Sequence, residues 1–112
     1  MNMPAASAGS LLANLPNGSL ADELFHILAE KGDARIERIV STGQATPEGD
    51  WYDQETDEFV LLVSGAAALQ IEGEAEEREL GPGDWVMLPA HCRHRVAWTQ
   101  SEPPTVWLAV HF

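Results

Sequence analysis

Gly65, Gly73, Gly81-Pro82-Gly83, Pro89 and Pro103-Pro104 cut the second half of this chain into pieces too short for ordinary helices. The pieces between them read as strands: Phe59 to Val63, Ala66 to Ile71, Glu76 to Leu80, Trp85 to Leu88, His94 to Trp98 and Thr105 to Phe112. Ahead of them Arg35-Ile36-Glu37-Arg38-Ile39-Val40 alternates imperfectly, and Thr46-Pro47-Glu48-Gly49 reads as a turn. Many short strands at this spacing predict an all-β antiparallel sandwich or barrel.

One segment reads differently. Leu20, Leu24, Ile27 and Leu28 fall on a single stripe of a helix over residues 20–31. Ser19 is placed to cap it, Asp22 gives a variant of the capping box, and Gly32 can end it. His26, between Asp22 and Glu30 at helical spacing, then lies on the solvated surface. Residues 1–18 are rich in Ala, Ser, Gly, Asn and Pro and read as an arm, loose or packed on a neighbour. Residues 19–112 read as one domain, and its four tryptophans are expected to supply much of the core.

The charge balance excludes whole classes of partner. Six basic residues against eighteen acidic ones give a net charge of −12, which repels phosphate backbones and anionic lipid. The stretch Met1 to Leu15 has no basic residue ahead of its short apolar part, which argues against a secretory signal. No apolar run approaches the roughly 18 residues of a membrane span. Cys92 is the only cysteine, so no internal disulfide forms; this fits a reducing, cytoplasmic setting.

Two segments carry chemistry. The first runs from Trp51 through Tyr52, Asp53, Gln54, Glu55, Thr56, Asp57 and Glu58 into an apolar strand that stops at Gly65. If Glu58 faces inward, so do Val60 and Leu62, and the same period places Tyr52, Gln54 and Thr56 on that face. Asp53, Glu55 and Asp57 then face solvent. The second runs Gly83-Asp84-Trp85-Val86-Met87-Leu88-Pro89-Ala90-His91-Cys92-Arg93-His94. If His94 faces inward, Val96 and Trp98 follow it, with Arg93 and Arg95 outside. Trp85 and Met87 have the opposite parity to Val86 and Leu88, so they face a second sheet or a partner subunit. Ala90-His91 must turn tightly, which strains a non-glycine residue.

Together these segments resemble the two motifs of a small single-domain cupin. Glu58 and Gly65 keep the spacing of the first motif, whose two histidine positions fall on Tyr52 and Gln54. Gly83, Pro89 and His94 keep the spacing of the second, with His91 in place of a glycine and Trp98 in place of the closing asparagine. The resemblance covers about residues 45 to 112. It implies a cupin-like double-stranded β-helix, or jelly-roll barrel, with the N-terminal helix packed outside. It also implies a divalent transition metal (Fe, Mn, Zn or Ni) held by Glu58 and His94, completed by Gln54, with Tyr52 as a further ligand or a catalytic acid. His91 falls at the rim, His111 on an exposed or interface position of the last strand, and Cys92 reads as a small filler.

Three functions follow from that resemblance. One is a metal-dependent enzyme of the dioxygenase or isomerase kind, acting on a small organic molecule. Another is a binding module that holds a small molecule through Tyr52, Gln54, Glu58 and His94 without metal. The third is metal-independent isomerase chemistry, for which the sequence displays no paired acid and base. A homodimer is expected, because open sandwiches leave edges to cover.

Overall fold

Along Glu58–Ser64 the buried residues are Glu58, Val60 and Leu62, the alternation that a strand with one inward face requires. The computed structural model, which describes residues 3–112, contains eight strands. They are β1 Leu24–Lys31, β2 Ala34–Ser41, β3 Glu58–Ser64, β4 Ala67–Ile71, β5 Arg78–Leu80, β6 Trp85–Leu88, β7 His94–Thr99 and β8 Thr105–His111. A five-stranded sheet runs β1-β2-β8-β3-β6 and a three-stranded sheet runs β5-β4-β7. Every strand pairing is antiparallel. The inward faces of the two sheets meet over Val60, Leu62, Leu69, Ile71, Leu80, Val86, Leu88 and Trp107. This is an all-β antiparallel barrel, as the strand spacing predicts, in the jelly-roll form that the resemblance implies.

The N-terminal helix is not formed. No helix occurs among the described residues, and Leu24–Lys31 is a strand paired with β2 from Leu24↔Val40 to Lys31↔Ala34. The reason lies in partners distant in sequence. Ser19 Oγ meets Ser101 Oγ at 2.7 Å instead of capping a helix. The Leu20 N–H donates to Thr42 Oγ1 at 2.9 Å, and its carbonyl accepts from Gln44 Nε2 at 2.8 Å. Ladder hydrogen bonds to β2 then outweigh a helical propensity of a few tenths of a kcal/mol per residue. His26 is exposed, as expected, and its Nδ1 accepts from Arg38 Nε at 3.2 Å. Arg38 also ties down the arm, donating to the carbonyls of Leu11 and Ala13 at 2.9 and 2.7 Å.

Two other expectations fail for local reasons. The register of β7 against β4 slips between Ala68↔Trp98 and Leu69↔Val96, so Ala97 is an extra residue. That bulge reverses parity, and Trp98 is 38% exposed instead of following His94 inward. The tryptophans therefore do not dominate the core: Trp107 is buried, whereas Trp85 stands 61% exposed and stacks on Phe59 on the outer face of the larger sheet.

Candidate functional site

Strand parity sets the floor of an inner cavity of about 270 Å³ with apolar groups: Val60, Leu69, Leu88, Val96 and Trp107. Its polar wall is Tyr52, Gln54, Glu58 and His94, joined by Glu23, Arg35, Glu37 and His111. Of the polar residues that parity sends inward, Tyr52, Gln54 and Glu58 line the cavity and Thr56 does not, while Asp53 and Glu55 are exposed. Asp57 departs from that pattern. It is half-buried, and its Oδ1 accepts the Ala90 N–H at 2.8 Å, tying the two segments together.

His94 reaches the cavity from the three-stranded sheet. Its Nδ1 lies 2.9 Å from the Cys92 carbonyl, which can only accept, so Nδ1 carries the proton and Nε2 faces Glu58. Nε2 stands 3.5 Å from Glu58 Oε1. That is an ion-pair separation, too long for a well-formed hydrogen bond, and Glu58 Oε1 is buried without any hydrogen-bond partner. Burial alone would lower the His94 pKa. The Glu58 carboxylate and the Cys92 carbonyl outweigh it, and the imidazole titrates above its usual value.

A pH dependence follows, and its sign is fixed. A histidine whose folded pKa is raised stabilises the fold fully below its unfolded pKa, about 6.5, and loses that contribution as pH rises through the folded value. The melting-temperature gap between wild type and His94→Gln is therefore expected to be larger at about pH 6 than at about pH 9. Thermal unfolding of both proteins at the two pH values measures it, and a gap that widens with pH would contradict the Glu58–His94 pairing.

Tyr52 bridges to His94 through the backbone, its N–H donating to the His94 carbonyl at 2.7 Å. Its ring stacks on the imidazole at a centroid distance of 5.5 Å and is 41% exposed at the mouth. Burial and the Glu23 charge, with a smaller contribution from Glu58, raise the phenol pKa against the opposing effect of Thr46. Tyr52 is therefore a protonated donor at neutral pH. The Gln54 carbonyl accepts the His91 N–H at 2.8 Å, while its side chain lines the cavity. His91 sits at the rim with φ of 63°, the strained turn expected of that position, and its Nδ1 meets Asp53 Oδ1 at 2.7 Å.

The sequence reading missed two members of the site. His111 is buried, not exposed, and its Nε2 lies 3.1 Å from Glu37 Oε1 and 3.9 Å from Glu58 Oε2. Glu37 is buried as well, with Arg35 Nε 3.7 Å from its Oε2. The available signal was parity. His111 is in phase with the inward Trp107 and Ala109 on β8, and Glu37 with the half-buried Arg35 and Ile39 on β2. Glu58 thus lies between two imidazole nitrogens.

A metal centre needs at least three converging protein donors. Among the described residues no three His, Cys, Asp or Glu side chains are arranged to hold an ion. Of the expected set, Glu58 and His94 face each other, whereas Tyr52 stacks on the imidazole face. The residues as placed do not fit a cupin metal.

A protein from Ralstonia eutropha JMP134, whose crystal structure is provisionally named a mannose-6-phosphate isomerase, is 52% identical over 95% of this chain and 97% of its own, with a TM-score of 0.92. A cupin superfamily protein from Desulfitobacterium hafniense DCB-2 is 20% identical over 100% and 95% of the two chains, with a TM-score of 0.75. KdgF from Halomonas sp. is 22% identical over 86% and 87%, with a TM-score of 0.65. No curated protein matches the sequence. The cupin domain family model matches residues 38–111, from β2 to the end of β8, and the chain belongs to that family.

Proposed function

We propose that the cavity binds a small sugar-like molecule and moves a proton on it, in an isomerisation of the aldose–ketose kind. The observation that carries this reading is Glu58, a buried carboxylate flanked by His94 Nε2 at 3.5 Å and His111 Nε2 at 3.9 Å. One base with a proton carrier on each side is what such a reaction requires. The name of the 52% identical Ralstonia protein supports the reaction class, aldose–ketose isomerisation, although the substrate in that name is a phosphate ester.

In this scheme Glu58 takes the proton from the carbon next to the carbonyl. The C–H electrons form a carbon–carbon double bond, and the carbonyl oxygen accepts a proton from one imidazolium. The resulting enediol gives its other hydroxyl proton to the second imidazole as a new carbonyl forms. Glu58 returns its proton to the neighbouring carbon, so atoms and electrons balance. Tyr52 and Gln54 bind hydroxyl groups at the mouth. Deuterium incorporation into D-mannose and D-fructose in heavy water, followed by proton NMR, tests the reading. Exchange at carbon 2 of mannose and carbon 1 of fructose is expected, and its absence at substrate-saturating concentration would remove it.

A metal-dependent form of the same site has one observation in its favour, the unpartnered Glu58 Oε1 facing the His94 ring. It would require a third donor to move onto that pair. Elemental analysis of protein purified without chelator is expected to find well under one transition-metal ion per chain. One tightly retained equivalent would favour the metal instead.

A further inference from the structure

We infer that the cavity selects an unphosphorylated, uncharged sugar and discriminates against the corresponding phosphate monoester. The inference rests on the isomerase reading above and deepens it by setting the charge of the substrate.

Three carboxylates line the cavity, Glu23, Glu37 and Glu58, and Arg35 is the one lysine or arginine among the lining residues. Every positive or potentially positive group there already faces an acid. Arg35 Nε lies 3.7 Å from Glu37, His111 Nε2 3.1 Å from Glu37, and His94 Nε2 3.5 Å from Glu58. Even with both imidazoles counted as cations the lining would be neutral, and Arg35, whose buried Nε has no hydrogen-bond partner, is a single guanidinium set against three carboxylates. A phosphate monoester brings a charge of about −1.5 to −2 near neutral pH and needs bidentate bases or a helix N-terminus to replace its hydration. No helix exists among the described residues to supply the latter. Phosphate entering this cavity would be desolvated against carboxylates, in a protein whose net charge of −12 already opposes its approach.

Hydroxyl groups suit the same wall. They donate to carboxylates and accept from the Tyr52 phenol and the Gln54 amide, and the apolar floor of Val60, Leu69 and Trp107 packs against a sugar's C–H face. The binding requirement is thus met by neutral donors without a compensating cation.

The test uses the full chain with D-mannose, D-fructose and their 6-phosphates at matched concentrations, reading interconversion and thermal stabilisation. The free sugars are expected to show kcat/KM at least about tenfold above the esters, a ratio set by unscreened repulsion in the cavity. Raising the salt concentration should narrow that ratio, and so should Glu23→Gln, which removes one carboxylate. Equal or better turnover of a 6-phosphate would overturn the inference and leave the isomerase reading standing. If neither sugars nor esters are converted or bound, both fall.

Discussion

Glu58→Gln is expected to abolish carbon-bound proton exchange, lowering its rate by about 10²- to 10⁴-fold, the usual contribution of a positioned general base. An amide has the carboxylate's shape but cannot accept the proton, so the barrel should still fold and unfold cooperatively. Deuterium incorporation measured on wild type and variant under identical conditions gives the number. A variant that exchanges within threefold of wild type would show that the proton goes elsewhere. The effect should exceed that of Tyr52→Phe, because Tyr52 stands at the open mouth and Glu58 is enclosed between His94 and His111.

Gly65→Ala is expected to be the most damaging single substitution for stability. Gly65 has φ of +87°, and a Cβ there would lie 2.6 Å from Thr105 Oγ1 and 2.7 Å from the Thr105 Cα. The second contact is with backbone and cannot be relieved by a rotamer change. Thr105 is fully buried at the start of β8, with its Oγ1 within hydrogen-bonding distance of the Ala66 and Gln100 carbonyls. Moving it would disturb the strand that carries His111. Left-handed strain alone costs about 1–2 kcal/mol, and the backbone clash brings the expected loss to about 4 kcal/mol or more. For a domain whose total stability is on the order of 5–15 kcal/mol this removes from about a quarter to most of it. Gly73→Ala is the control: its φ is +91° but nothing lies within 4 Å of the added carbon, so only the strain is lost. Urea midpoints of the two variants separate clash from strain. Equal midpoints would mean that the Gly65–Thr105 contact relaxes freely.

Much of the site was readable because β-strands have a period of two. Choosing Glu58 as inward fixed Val60 and Leu62 beside it; Tyr52 and Gln54 also line the cavity, but residues 53–57 form no strand and Thr56, of the same parity, does not. The reading failed wherever an extra residue or a distant partner intervened. Ala97 is a bulge that only pairing with β4 reveals, and it turned Trp98 outward. Leu20, Leu24, Ile27 and Leu28 carry a helical stripe, yet Thr42, Gln44 and the edge of β2 offered that segment better hydrogen-bond partners.

The sequence by itself determined the barrel, through glycine and proline breaks between short apolar runs, and it identified Glu58 and His94 through their spacing. Only the tertiary structure decided what surrounds them. Glu37 and His111 lie 74 residues apart, on strands that pair antiparallel, and no local pattern could bring them together. Side-chain parity gives a direction, but only strand order gives a neighbour. The order β2-β8-β3 places Glu37, His111 and Glu58 side by side, while His94 faces Glu58 from the opposite sheet. A spacing that resembles a metal motif thereby becomes a buried row of alternating carboxylates and imidazoles.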